Sequence, residues 1–216
     1  MHGAIEAKRI WKRRGTEGRL YNTVMGALPV TKFSVEEYLA LDRAAEIPSE
    51  YHDGEIFPLA ATSWEHNLLH TNLCWRLGER LFKSPCHAAG SSIRVRTSPT
   101  KFVIPDIAVV CGKPALTDEY QDTLTNPKVI VEILSPSTAD YDYGGKFIQY
   151  RQLESFEEYV LVAQDQPRVE VFRKTSGSRW IINTYEGLEA VAAVETLSIS
   201  LPLIEIYSGI EFPALS

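Results

Sequence analysis

Two carboxylates stand where carboxylates are expensive. Asp106 lies within Phe102-Val103-Ile104-Pro105-Asp106-Ile107-Ala108-Val109-Val110, and Glu132 lies within Lys128-Val129-Ile130-Val131-Glu132-Ile133-Leu134. Both stretches are otherwise apolar and β-branched, so each reads as a buried strand. A lone Asp or Glu in such a run is costly unless it is paired, hydrogen-bonded or bound to a cation. Alternation places Ile104, Asp106 and Ala108 on one face of the first strand, and Ile130, Glu132 and Leu134 on one face of the second. On neighbouring strands both carboxylates would reach one point, and without a cation one of them would take up a proton. A few hard oxygen ligands with room for water and phosphate suit Mg²⁺, which activates water and stabilises charge on a phosphoryl oxygen. Lys146 follows on the next predicted helix, where its charge would serve a developing oxyanion. Each residue also has a bland reading. Lys146 forms an i,i+4 pair with Asp142 on a solvated helix face, Asp106 is a turn carboxylate after Pro105, and Glu132 is half of a structural ion pair.

The elements that must position these groups are legible in outline. Ser34-Val35-Glu36-Glu37 reads as a capping box opening a helix to about Ala44. Asp53-Gly54 reads as a turn between two short strands. From Trp64 to Phe82, Leu69, Leu73, Leu77 and Leu81 recur every four residues, the pattern of one buried helix face. Strands are predicted at Ile93–Arg96, Phe102–Val110, Lys128–Leu134, Glu158–Val162, Arg168–Arg173 and Arg179–Thr184, and a helix at Asp140–Leu153. The order implies an α/β (α+β) protein, with helices flanking one mixed central sheet.

Composition bounds the rest. The chain has 216 residues, 44% hydrophobic and 23% charged, enough for one domain with a real core over 31–216. The net charge is −6, yet residues 1–20 hold six Lys/Arg and two Asp/Glu. That basic leader, residues 1–30, is expected to be a flexible tail. The acidic remainder argues against a constitutive, sequence-independent DNA coat. No apolar run has membrane-spanning length, and the leader lacks the apolar stretch of a secretory signal. Cys74, Cys86 and Cys111 form no CxxC pair, so reduced thiols in a cytoplasmic protein are expected.

Pro105-Asp106, Val131-Glu132-Ile133-Leu134-Ser135-Pro136-Ser137-Thr138, Tyr141-Asp142 and Lys146 together resemble the Uma-two endonuclease family. It belongs to the restriction-endonuclease-like PD-(D/E)xK superfamily. The resemblance runs from about Lys32 to Phe172, and the Ser-Pro-Ser-Thr tail after Glu132 is its most specific piece. It implies a restriction-endonuclease-like fold with metal held by Asp106, Glu132 and the main-chain carbonyl of Ile133. Lys146 takes the place of the superfamily lysine, whose usual position is Leu134. It further implies Mg²⁺ (Mn²⁺ as substitute), hydrolysis of DNA phosphodiesters to leave a 5′-phosphate, and a homodimer. Accessory groups are expected among Glu55, Glu65, His66 and Asp142. One departure is that Ala163 stands where similar proteins tend to carry an aspartate, with Asp165 two residues further on.

Rival readings exist. His66 and His70 share a helix face at zinc-ligand spacing, but Asn67 follows His66 where an HExxH peptidase needs glutamate. Gly144-Gly145-Lys146 lacks the upstream glycine of a phosphate loop, position 139 being Ala; its glycines are expected to loosen the helix start so that Lys146 reaches the carboxylates. The strongest rival is a catalytically silent nuclease-fold protein that binds nucleic acid or a protein partner, because fold alone does not fix function. A third reading is an interaction protein whose sheet supports a dimer.

Overall fold

The computed structural model describes residues 31–90, 92–135 and 139–212; the basic leader and the Pro136-Ser137-Thr138 part of the motif lie outside them. The chain divides into two compact units at Leu59 and Ala60. In the first, α1 (Val35–Ala44) is capped by Ser34, whose hydroxyl accepts from the Glu37 N–H while the Glu37 carboxylate accepts from the Ser34 N–H. This is the expected reciprocal capping box. Strands β1 (Ser49–His52) and β2 (Glu55–Pro58) form an antiparallel hairpin whose turn is Asp53-Gly54. Both turn residues have positive φ, +51° and +101°, the type I′ requirement that Asp-Gly meets cheaply.

The second unit is built on a mixed six-stranded sheet. Its strands are β3 (Cys86–Gly90), β6 (Ile107–Cys111), β8 (Val129–Leu134), β9 (Glu158–Ala163), β10 (Arg168–Lys174) and β11 (Trp180–Glu186), ordered β11-β10-β9-β8-β6-β3. Within this sheet, among the described residues, only β8 and β9 pair in parallel. Strands β4 (Arg94–Ser98), β5 (Lys101–Val103) and β7 (Thr123–Leu124) pair apart from it, as do β12 (Val191–Val194) and β13 (Ile199–Pro202). The helix α2 (Trp64–Leu81) lays its leucine stripe on one sheet face, against Val129, Val131, Ile133, Val160, Val162, Val169 and Val171. The other face, with Ile130, Leu134, Tyr159, Leu161 and Phe172, packs on Tyr150 and Phe156. Strand alternation therefore sends Glu132 toward the second layer, with Ile130 and Leu134.

Three expectations are corrected. The strand predicted over Phe102–Val110 is two strands, β5 and β6, which lie in different sheets, and Ile104-Pro105-Asp106 is the crossing. Proline offers no N–H to a ladder, so the sheet breaks there. The helix predicted over Asp140–Leu153 is α3 (Ala139–Tyr141), a π turn (Asp142–Lys146) and α4 (Phe147–Tyr150). The cysteines are not all reduced, since Cys86 and Cys111 are joined as a disulfide and only Cys74 is free. They stand directly opposite on β3 and β6. The Gly112 N–H donates to the Pro85 carbonyl just outside them, making theirs a non-hydrogen-bonded pair, the closer kind. Spacing could not reveal a cross-strand partner 25 residues away.

Candidate active site

The register of β6 on β8 pairs Ala108 with Ile130 and Ile107 with Val131, so the next step outward sets Asp106 opposite Glu132. There the ladder turns into side-chain chemistry. The Asp106 N–H donates to Glu132 Oε2 at 3.2 Å, and the Ile133 N–H donates to Asp106 Oδ2 at 2.7 Å. Each strand's backbone thus holds the other strand's carboxylate. Asp106 is not a strand residue, as alternation had required, yet the two carboxylates meet as expected.

Lys146 arrives from the second layer. Its Nζ lies 3.1 Å from Glu132 Oε1 and 3.3 Å from Asp142 Oδ1. The i,i+4 pair with Asp142 therefore exists, but on a buried face: Asp142 is 2% exposed and Lys146 8%. Tyr150, one helical turn beyond Lys146, donates its hydroxyl to the same Glu132 Oε1 at 2.9 Å. The π turn lets this happen. A Cβ on Gly145 would stand 2.5 Å from the Tyr141 ring, so only glycine lets that ring lie against the turn, whereas a Cβ on Gly144 meets nothing within 4 Å. The Tyr141 ring in turn sits 5.9 Å from Lys146 Nζ.

Helix α2 reaches the site from the opposite layer. Ser63 caps it, accepting from the His66 N–H, and Gln164 donates its amide to the Ser63 hydroxyl at 2.9 Å. His66 Nε2 lies 3.1 Å from Asp106 Oδ1, and His70 Nε2 lies 3.1 Å from the Asp106 carbonyl. The histidine pair is thus hydrogen-bonded around Asp106, as its bland alternative to zinc ligation held.

Burial sets the two carboxyls apart. It acts hardest on Glu132, 2% exposed, pushing its acidity well above the ordinary glutamate value; the charge of Lys146 opposes this, and the charges of Asp106 and Asp142 reinforce it. Burial also pushes Asp106 upward, but His66, the Ile133 N–H and Lys146 outweigh it and hold that carboxyl below the usual range. The same surroundings thus shift the two carboxyls in opposite directions, Glu132 upward and Asp106 downward.

Of the accessory candidates, His66 and Asp142 join this cluster. Glu65 is exposed in the first turn of α2, and Glu55 lies on β2 of the first unit opposite His52. Strand β9 ends at Ala163, so Asp165 does not continue its face but stands exposed in the turn to β10. Reasoning from sequence missed Tyr150. Its i,i+4 spacing from Lys146 was the available signal. It also missed Gln164 and Ser63, which carry no motif.

Residues 35–204 match the profile of the Uma2 family, described as "Putative restriction endonuclease". The chain belongs to this family. Among its relatives is the uncharacterized protein sll1609 of Synechocystis, 34% identical over 155 residues, which span 71% of this chain and 88% of the relative. The uncharacterized protein slr1290 of the same organism is 27% identical over 186 residues, 85% of this chain and 96% of that one. In three dimensions the Uma2 chain resembles a crystal structure described as a putative nuclease belonging to DUF820 from Anabaena variabilis. The TM-score is 0.66 and the identity 18%, over 82% of this chain and 98% of the other. The shared architecture is that nuclease's fold. Among the described residues, no helix is long and apolar enough to cross a membrane.

Proposed function

We propose that this Uma2 protein is a Mg²⁺-dependent endonuclease that hydrolyses DNA phosphodiester bonds and leaves a 5′-phosphate. The observation that carries the reading is the convergence of Asp106 from the β5–β6 crossing, Glu132 from β8 and Lys146 from the π turn on one point. Two hard carboxylates there fit a divalent cation in type. Glu132 is buried, where a dication would offset the cost of its charge. Among the described residues no three His, Cys, Asp or Glu side chains form a ready-made cation cage. Asp106 and Glu132 with a main-chain carbonyl, leaving positions for water and phosphate, is the sparse protein ligation Mg²⁺ tolerates. The carbonyl is that of Ile133, whose N–H already faces Asp106. When bound, the ion supplies charge stabilisation at a phosphoryl oxygen and a more acidic water.

The chain's own groups have distinct tasks in this reading. Glu132, buried beside Lys146 and the Tyr150 hydroxyl, would serve as a carboxylate ligand. Asp106, held ionised by His66 and the Ile133 N–H, is ready as the first anionic ligand. Lys146 places an ammonium beside the carboxylates, where it orients the attacking water and offsets the charge of the pentavalent phosphorus. The direct test is cleavage of mixed single- and double-stranded DNA with Mg²⁺ or Mn²⁺, with Lys146→Ala alongside. Removing one charge-stabilising donor is expected to slow cleavage by about 10²–10³-fold while metal binding persists. Equal loss of metal binding would make Lys146 a structural support instead. An absence of cleavage in both proteins, across substrates and metals, would favour the catalytically silent reading.

A further inference from the structure

The outward face of α2 is built the wrong way round for a solvated helix. Opposite its leucine stripe, polar residues are the norm. Positions 64, 68, 71, 75, 78 and 82 fall within about 40° of one line at the helical repeat. On that line Trp64 is 74% exposed, Trp75 64% and Phe82 83%, while Thr71 and Gly78 are small and exposed and Leu68 is half-buried. Gly78 is unexplained by the chain itself: it sits inside a helix, where glycine is costly, and a Cβ there would meet nothing within 4 Å.

We propose that this stripe docks a second copy of the chain, α2 against α2 in antiparallel array about a twofold axis. Such an interface must be complementary to itself, and this one is. Reversing the helix about position 73 sets Trp64 against the copy's Phe82, Trp75 against the copy's Thr71, and Leu68 against the copy's Gly78. Large faces small at the two inner steps, which is how packed helix surfaces interdigitate, and Gly78 acquires a purpose. Charge agrees with the same arrangement. Glu65 in the first turn and Lys83 just past the helix are both exposed, and the antiparallel array brings each toward the other on the copy, with opposed helix dipoles. Three aromatics bring roughly 150–250 Å² each, a large share of the ~800 Å² per partner of a standard interface.

Sedimentation of the full chain over a wide dilution series reads the assembly directly, independently of any nuclease activity. The wild type is expected to be a dimer. Trp75→Glu, at an exposed position, is expected to weaken it by at least about tenfold with unchanged circular dichroism. Gly78→Leu should also shift the protein to monomer with unchanged circular dichroism, since the side chain has open space in the monomer. Lys83→Glu should weaken association, and Glu65→Lys combined with it should restore association. A monomeric wild type overturns the proposal, as does a dimer indifferent to Trp75→Glu. Loss of DNA binding in Trp75→Glu from a monomeric wild type would assign the stripe to nucleic acid instead.

Discussion

At the scale of single residues, the fold shifts in opposite directions two carboxyls that look equivalent in sequence. Glu132 holds its proton more tightly in the fold than in the unfolded chain, so it favours the fold below the ordinary glutamate value of 4.5. That contribution is lost as pH rises through the raised folded value. Asp106 runs the other way: it stabilises above its ordinary 3.8 and is lost only as pH falls below that. In cation-free buffer, thermal unfolding should therefore move to lower temperature as pH is raised above the glutamate range, and Glu132→Gln should flatten this slope. Added Mg²⁺ should restore stability at the upper end, and lower in pH, where Glu132 still holds its proton, binding should release it, which calorimetry in buffers of different ionisation enthalpy would register. A slope unchanged in Glu132→Gln would place the titration on another group.

At the scale of elements, the π turn is the device that brings Lys146 and Tyr150 to Glu132 from one side, while β6 and β8 bring the carboxylates from the other. Its two glycines make a controlled comparison. Gly145→Ala drives a Cβ to 2.5 Å from the Tyr141 ring and should destabilise by about 1–3 kcal/mol through forced repacking. Gly144→Ala meets nothing and should be neutral or stabilising by up to about 1 kcal/mol. Chemical denaturation of the two variants measures both numbers. Equal behaviour would mean that the Tyr141 ring is free to move away. Because the Tyr141 ring lies near Lys146, Gly145→Ala should also slow DNA cleavage, where Gly144→Ala should not.

At the scale of the whole molecule, the edge strand β3 is fastened to β6 by Cys86–Cys111, on the strand that begins beside Asp106. Closing a loop of that length constrains the unfolded chain by about 3 kcal/mol. Cys111→Ala should cost about that much in denaturant unfolding under non-reducing conditions, and much less against a reduced reference. Thiol counting on the unfolded, unreduced protein should find one reactive group, Cys74; three would mean that the bridge is absent. The interface proposed for α2 lies on the face of that helix turned away from the sheet core.

The amino-acid sequence by itself determined the buried strands, the leucine face of α2, the capping box and the Asp-Gly hairpin, and it nominated Asp106, Glu132 and Lys146 as candidates that the fold brings together. Each rests on local periodicity, turn chemistry or a motif written in neighbouring residues, and such signals survive without tertiary context. The tertiary structure decided what depends on contact between distant segments. The break at Pro105 became a change of sheet because β5 and β6 found different partners. The Asp142–Lys146 pair proved buried because the second layer closes over it, and spacing cannot report burial. Tyr150, His66 and the Ile133 N–H became partners of the two carboxylates through packing of elements tens of residues apart. Cys86 met Cys111 through strand register. Ionisation, too, belongs to the fold: in the unfolded chain both carboxyls would titrate as ordinary acids, and burial with oriented donors separates them.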